Sequence, residues 1–275
     1  MAISNFISTV WSETLIKQLD QEYIGVKNCN RDFEGEIRGK GSTVKICSVG
    51  DITISDYTKN TDLSDPQTLS DSATNLVIDQ AKSFNFQIDD VDRAQSTPKL
   101  MELAMSQAAA ALAEVADKHV YSLYTGVSSD NTETVAELTE DNVVDSIISL
   151  REKLYANGVN SNIPLCLEVS PAVAMLILKA KLWTSSDNSS AMSNGALGNL
   201  VGFEVFVSPN VAVDSSGYTK CLARTKRAVA FAEQINEIEA YRPELRFADA
   251  VKGLHLYGAK IVYPKEICLL SCKTA

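Results

Sequence analysis

An apolar stripe at helical spacing opens the chain: Ile3, Phe6, Ile7, Val10, Trp11, Leu15 and Leu19. This pattern predicts an amphipathic N-terminal helix whose apolar face needs a cover. A helix on a membrane surface would carry several basic residues on its polar face, and here only Lys17 is placed there. The stripe therefore packs either on its own domain or, as an arm, against another subunit.

The pattern turns polar between residues 31 and 71. Segments 32–37 and 43–48 have the composition of strands, and the glycine-bearing turn 38–41 between them predicts a hairpin. Residues 61–67 are rich in Asp, Ser and Pro and predict a loop. An isolated two-stranded ribbon is marginal in water. We therefore expect this hairpin to lie on another surface.

A half-buried strand and a long helix follow. Phe84, Phe86 and Ile88 alternate with polar residues, which predicts the strand. Thr97 suits an N-cap and Pro98 the first helical turn, and no further proline or glycine occurs before Gly126. The pattern thus predicts a helix over 98–125, about 42 Å long at 1.5 Å per residue. Its alanine-rich middle makes it slender enough to cross a sheet as a spine.

The second half of the chain alternates helices and strands. Helices are predicted over 141–156 and from 171 to about 183, separated by a short apolar strand at 165–169. Further strands are predicted at 203–207, 218–224, 235–242 and 254–267, and loops at 128–132 and 184–194. A strand between two helices indicates α/β packing. The C-terminal strands must pair with earlier segments.

Composition narrows the functional classes. The chain has 275 residues, 45% of them hydrophobic, which is enough for a large core. Its 35 acidic and 25 basic residues give a net charge of −10, which argues against a basic nucleic-acid-binding face. The six cysteines are scattered, and the N-terminus has no secretory-signal pattern, so we expect reduced thiols. No apolar run is long enough to predict a membrane span.

No catalytic pattern emerges from the residues. Gly39-Lys40-Gly41-Ser42 has the wrong frame for a phosphate-binding loop, and no Gly-x-Ser-x-Gly elbow is present. The only histidines, His119 and His255, fall inside a predicted helix and a predicted strand. Cys268 and Cys272 are spaced unlike zinc ligands, and the carboxylates at 89, 90 and 92 fit a solvated helix entry. We predict no enzyme activity, no metal and no cofactor.

Three segments carry a family resemblance. They are Phe-Asn-Phe-Gln-Ile-Asp-Asp at 84–90 before the spine helix, Gly-Asn-Leu-Val-Gly-Phe-Glu-Val-Phe-Val-Ser-Pro-Asn-Val at 198–211, and the closing segments 239–247 and 251–260. Their order and spacing are similar to those of tailed-phage major capsid proteins with the Hong Kong 97 fold. The resemblance implies an α+β fold with an N-terminal arm at 1–30 and an E-loop hairpin at 31–75. It further implies a peripheral domain at 76–133 with the spine helix 98–125, an axial α/β domain at 134–236, and returning peripheral strands at 237–275.

The resemblance also implies a function. Such a chain self-assembles as hexamers and pentamers of an icosahedral shell that encloses double-stranded DNA without sequence-specific binding, with a portal protein as a further partner. It is assembled in the host cytoplasm and remains in the virion. The arm and hairpin would contact neighbouring subunits, which makes Phe6, Val10, Trp11, Lys40, Lys45 and Lys59 candidate inter-subunit contacts. Each lysine is equally explained as a solvated side chain.

Two expectations concern assembly. The arm and spine helix leave no room for the large N-terminal scaffolding domain of some relatives, so we expect a separate scaffolding protein. No pattern identifies a Lys, Asn and carboxylate trio for covalent cross-linking, so we expect a non-covalent shell. The acidic balance further predicts a neutral to acidic inner surface, because a basic lumen would hold DNA to the wall. Two alternatives stay open: an encapsulin-like nanocompartment shell, and a cytoplasmic α/β enzyme with an unrecognised site.

Overall fold

A computed structural model describes residues 15, 17–33, 43–49, 54, 56, 59, 62, 71–89, 100–184, 198–245 and 247–274. Its helices are α1 (Leu100–Ser122), α2 (Val143–Ala156) and α3 (Pro171–Thr184). Its strands are β1 (Thr43–Val49), β2 (Asp71–Val77), β3 (Gln80–Asp89), β4 (Thr132–Leu138), β5 (Leu165–Val169), β6 (Asn199–Leu200), β7 (Phe203–Val207), β8 (Thr219–Thr225), β9 (Val229–Tyr241), β10 (Ala248–Ile261) and β11 (Ile267–Thr274). None of the helices in these ranges is long and apolar enough to cross a membrane.

The largest sheet has six strands in the order β4-β11-β8-β5-β7-β6. The β4–β11 and β5–β7 pairs are parallel, and the other pairs are antiparallel. Strands β5 and β8 are buried along their whole length, as expected for central strands with both faces covered. Helix α2 packs on β11 and β4 and against α3. This is the predicted α/β part of the chain.

A second sheet has three antiparallel strands in the order β3-β10-β9. Its β3 strand alternates between half-buried and exposed positions from Phe84 onward, as the sequence predicts. Phe84 and Phe86 stack on each other and pack against the main core, and α1 contacts both β3 and β10. Helix α1 continues into a 3-10 turn that ends at Gly126, the predicted stop. Thr97 and Pro98 lie outside the described residues.

The other face of this sheet carries the two-stranded ribbon β1–β2. Seven buried residues from the ribbon and the sheet form a separate small core: Val44, Ile46, Leu76, Ile78, Ala230, Ala232 and Leu256. The ribbon backbone approaches the sheet so closely that a Cβ atom at Gly258 would lie 2.3 Å from the Val77 carbonyl oxygen. The expectation that the polar hairpin rests on another surface is therefore confirmed for strand 43–49.

The predicted partner of that strand is partly wrong. In the described residues β1 pairs with β2, whereas Asp32 and Phe33, the first residues of the predicted strand 32–37, form a turn. The Asp32 amide donates to the Asn30 side chain at 2.9 Å, an Asx turn that competes with strand conformation. The remaining residues of that strand and the turn at 38–41 lie outside the described residues.

Three other boundaries differ from the predictions. Strand β4 begins at Thr132, where only a polar break was expected. Strand β9 begins at Val229, six residues before the predicted 235. The single strand predicted over 254–267 is two strands, because Pro264 opens a 3-10 turn at Pro264–Glu266 that interrupts it. The range 237–275 consequently divides between sheets: β10 pairs with β3 and β9, and β11 pairs with β8 and β4.

Candidate functional site: an anchored N-terminal strap and exposed apolar surfaces

Most of the predicted inter-subunit contacts cannot be compared with the structure. Four lie outside the described residues: Phe6, Val10, Trp11 and Lys40. Lys45 is exposed on β1 between the buried Val44 and Ile46, so it points away from the small core. Lys59 is also exposed. Exposure agrees both with a contact to a neighbour and with a solvated lysine, so the roles of these residues stay predictions.

The last two residues of the N-terminal stripe, Leu15 and Leu19, pack on their own subunit. Leu15, Leu19 and Tyr23 are at most 2% exposed and belong to the main core. After a helical segment that ends at Glu22, the chain crosses the body of the subunit as residues 24–31, which we call the strap. Of the two alternatives for the stripe, packing on its own domain holds from Leu15 onward.

A fully buried ion pair holds the middle of the strap. Arg224 on β8 and Glu168 on β5 are both 0% exposed, with Arg224 Nη2 2.8 Å from Glu168 Oε1 and Nε 3.1 Å from Oε2. The same guanidinium donates to the Asn28 carbonyl at 2.7 Å and to the Gly25 carbonyl at 2.9 Å. Glu168 also accepts a bond from Asn28 Nδ2 at 3.1 Å. Burial lowers the pKa of Arg224, but the charge of Glu168 and its hydrogen bonds to the guanidinium outweigh burial and raise that pKa above its ordinary value.

The spine helix supplies the second anchor. Asp117 on α1 is 1% exposed, and its carboxylate accepts bonds from the backbone amides of Ile24 (3.1 Å) and Val26 (3.0 Å). Burial raises the pKa of Asp117, and the backbone donors of the strap partly oppose that shift. Gly25 sits so close to α1 that a Cβ atom there would lie 3.0 Å from Tyr121 Cζ. The strap is thus held tightly against the helix.

The three-stranded sheet supplies the third anchor. Asn30 forms a parallel bridge with Ala230 through two backbone bonds, from its own amide to the Val229 carbonyl at 2.8 Å and from the Phe231 amide to its carbonyl at 2.9 Å. Beside this bridge, Glu233 binds Arg31 Nη2 at 2.6 Å and His255 Nε2 at 2.9 Å. Tyr23 also donates to Glu233.

This polar cluster has no catalytic character. Burial raises the pKa of the Cys29 thiol to about 11, so the thiol is protonated at neutral pH and a poor nucleophile. The cysteines at 29, 166, 221, 268 and 272 are buried free thiols. Within the described ranges, no group of three or more His, Cys, Asp or Glu side chains is placed to hold a metal. The cluster therefore holds the backbone of the strap in place.

Sequence reasoning missed the residues of this cluster, although one signal was visible. Glu168 interrupts the otherwise apolar strand Leu-Cys-Leu-Glu-Val, and Arg224 directly follows the apolar run Cys-Leu-Ala. A charge inside a buried strand needs a partner, which could have suggested that the two residues meet. Nothing in the sequence places the strap carbonyls beside them.

The three-stranded sheet and its β9–β10 loop leave apolar surface exposed to solvent. The loop between β9 and β10 presents Leu245, 97% exposed, and Phe247, 85% exposed. On the same sheet there is an open groove of about 300 Å³, lined by Ser83, Phe84, Asn85, Glu239, Lys252, Gly253 and Leu254. Large apolar side chains exposed to this extent usually mark contact with another molecule when they lie together.

The family model described as phage capsid protein matches residues 72–270 of the chain. The chain belongs to this family. A search of curated protein sequences found no match. The fold agrees with solved structures: one from Mycobacterium phage Che8 is 28% identical with a TM-score of 0.71, covering 90% of each chain. The capsid of cyanophage P-SCSP1u is 14% identical with a TM-score of 0.69, covering 90% of this chain and 86% of that one. The virus-like particle from Pyrococcus furiosus is 13% identical with a TM-score of 0.57, covering 96% and 99%.

The phage capsid protein therefore has the α+β Hong Kong 97-type fold and is a shell-forming structural protein of the virion. The enzyme alternative is overturned by this membership. In a shell-forming protein the exposed β9–β10 loop and the open groove are surfaces available to other copies, whereas the strap cluster is internal to each subunit.

Proposed function

We propose that this capsid protein forms the icosahedral head of a tailed phage, built from hexamers and pentamers, and that the head encloses double-stranded DNA. Membership of the phage capsid family over residues 72–270 carries the proposal. The β9–β10 loop supports it, because the large apolar side chains of Leu245 and Phe247 are almost fully exposed in the single chain. A neighbouring copy in a shell would supply that environment.

The proposed partners follow from the role of a head protein. A separate scaffolding protein would set the size of the shell during assembly in the host cytoplasm, and a portal protein would occupy one vertex for DNA entry. The net charge of −10 supports a container that does not bind its contents tightly. We propose a neutral to acidic inner surface and contacts between subunits that are non-covalent, with the E-loop segment and N-terminal arm reaching adjacent copies.

The most informative experiment is electron microscopy of the full chain expressed alone and together with the scaffolding protein from the same phage. We expect uniform icosahedral shells only in the second case. Uniform shells of the correct size from the chain alone would contradict the scaffolding proposal. Ladders that resist SDS, prepared from purified particles, would contradict the non-covalent shell. A compact monomer under both conditions would contradict shell formation itself.

An encapsulin-like compartment is the second candidate. The virus-like particle from Pyrococcus furiosus has the same fold, and the alignment covers 99% of that chain. The two candidates differ in what the shell contains. Double-stranded DNA recovered from nuclease-treated virions would support the phage head, and a co-purifying cargo protein without DNA would support the compartment.

A further inference from the structure

Within eight residues the strap contacts the six-stranded sheet, the spine helix α1 and the three-stranded sheet. Gly25 and Asn28 bind the six-stranded sheet through Arg224 and Glu168. Ile24 and Val26 bind the spine helix through Asp117. Asn30 and Arg31 bind the three-stranded sheet through the bridge to Ala230 and the ion pair with Glu233. A short segment with no regular strand of its own therefore holds both sheets and α1 together.

A demand for stability does not explain why the centre of this junction is charged. Removing two charges from water costs several kcal/mol per ion, and well-packed apolar residues commonly do as well or better. The pair has a second property that apolar residues lack. The planar guanidinium of Arg224 binds Glu168 along one edge while two of its nitrogens reach the Gly25 and Asn28 carbonyls. Apolar replacements would remove the Arg224 donor from the buried Asn28 carbonyl and leave the Gly25 carbonyl with only the weaker bonds from the Asn28 amide and the Cys29 thiol.

We propose that Arg224, Glu168 and Asp117 are positioning residues that clasp the strap in a single register across α1 and both sheets. The closed strap fixes the position of the helical residues 17–22 that precede it, and through them the accuracy of shell assembly. The assembly part of this inference depends on the proposed function, and the clasp itself does not.

The first test replaces the pair without leaving a lone buried charge. We expect the double variant Arg224→Met/Glu168→Leu to keep a cooperative unfolding transition. Backbone amides 24–28 of the full chain should exchange with deuterium at least about tenfold faster than in wild type, since two bonds to a charged donor are lost. Arg227→Met is the matched control, because the half-exposed Arg227 side chain binds Glu266 and not the strap carbonyls. It should leave exchange at 24–28 unchanged.

A second variant perturbs the strap and keeps every charge. Gly25 has helical backbone angles (φ −68°, ψ −42°), so alanine fits the backbone there, but its Cβ would press on Tyr121 and Asp117 at 3.0–3.3 Å. Gly25→Ala should raise exchange at 24–28 by a smaller factor, about threefold, with the global transition kept. Arg224→Lys sharpens the test further: lysine keeps the charge but lacks the fork, so it should fail to protect the strap.

Assembly of these variants with the scaffolding protein completes the test. We expect the double variant and Gly25→Ala to give shells of mixed size, and Arg227→Met to give wild-type shells. Unchanged exchange at 24–28 in both the double variant and Gly25→Ala overturns the clasp. Faster exchange with uniform shells overturns its role in assembly. If wild type itself makes no icosahedral shells, the proposed function fails, while the exchange comparison still decides whether the clasp exists.

Discussion

The two sheets of this subunit are completed by different means. In the six-stranded sheet, β5 and β8 are buried at every position, and even an arginine at 224 is 0% exposed. In the three-stranded sheet, β3 alternates between half-buried and exposed positions, and the β9–β10 loop exposes Leu245 and Phe247 almost fully. The chain covers the first sheet with its own helices and strap, and it leaves part of the second uncovered.

The difference separates folding from assembly. A substitution in the central strands of the six-stranded sheet should act on the stability of the isolated subunit, because β5 and β8 are buried within the same chain. A substitution on the outer face of the three-stranded sheet should leave the subunit folded and act on association between copies. The structure therefore predicts two classes of defect that can be measured separately.

The largest effect on stability is expected from Arg224→Ala. This change leaves Glu168 buried without its partner, and breaking one side of a buried pair costs about 3–5 kcal/mol. Denaturant unfolding of the subunit measures the loss. Lys252→Ala, at an exposed ion pair with Glu239 on the three-stranded sheet, is the control and should cost no more than about 1 kcal/mol. Equal losses at the two positions would remove the distinction between the sheets.

The largest effect on assembly is expected from Leu245→Ser/Phe247→Ser. Each large apolar side chain that becomes buried between copies contributes about 1.5–3 kcal/mol, so the variant should yield few shells by sedimentation and electron microscopy. Subunit stability should change by no more than about 0.5 kcal/mol, because these side chains are exposed in the single chain. Leu245→Met/Phe247→Leu keeps the apolar character and should assemble. Normal shells from the serine variant would show that the loop lies outside the interfaces.

Two glycines of β10 sharpen the contrast within one strand. An added Cβ at Gly258 meets the backbone carbonyl of Val77 at 2.3 Å, whereas at Gly253 it meets the ring of Phe84 at 2.4 Å. Backbone cannot move aside as a side chain can, so Gly258→Ala should displace the β1–β2 ribbon and cost about 1–3 kcal/mol. Gly253→Ala should cost less. Thermal unfolding of both variants compares them, and the opposite order would mean that the ribbon shifts easily.

The edge of the six-stranded sheet contains a residue under backbone strain. Val201 and Gly202 form the two-residue turn between β6 and β7, with φ values of 51° and 81°. The left-handed region costs an L-residue other than glycine roughly 1–2 kcal/mol, and asparagine tolerates it best. Val201→Asn should therefore stabilise the subunit by about 1 kcal/mol in denaturant unfolding. A loss of stability would mean that packing of Val201 on the core outweighs the strain.

The smallest effect concerns pH. A hydrogen bond from Lys153 holds the pKa of the Glu133 carboxyl below its ordinary value of 4.5. Because the folded-state pKa is depressed, the pair stabilises the subunit above that value, and the contribution is lost as the pH falls through the folded-state pKa. The pair is partly exposed, so its worth is below about 1 kcal/mol. The stability difference between wild type and Lys153→Gln should be present at pH 7 and shrink as the pH falls below 4.5.

Local pattern was sufficient for elements whose neighbours along the chain determine them. Strands 165–169 and 203–207 were predicted at their observed bounds, and α1 with its 3-10 extension ends at Gly126 as expected. The pattern failed where pairing partners decide the conformation. Strand β4 is polar and exists because it joins the edge of the sheet beside β11, which comes more than a hundred residues later in the chain.

Sequence alone thus indicated most of the helices and strands, because apolar periodicity and turn residues are local properties, and the order of its motifs provided the resemblance to capsid proteins that implied the α+β fold. Tertiary structure decided which charges are buried and which apolar residues are not. Arg224 and Glu168 are ordinary charged residues until the fold brings β5, β8 and the strap together. Leu245 and Phe247 lie between two predicted strands, and only the fold shows that they are exposed on a loop beyond the core. Burial depends on contacts between residues that are distant in the sequence, and the local pattern of residues does not reveal those contacts.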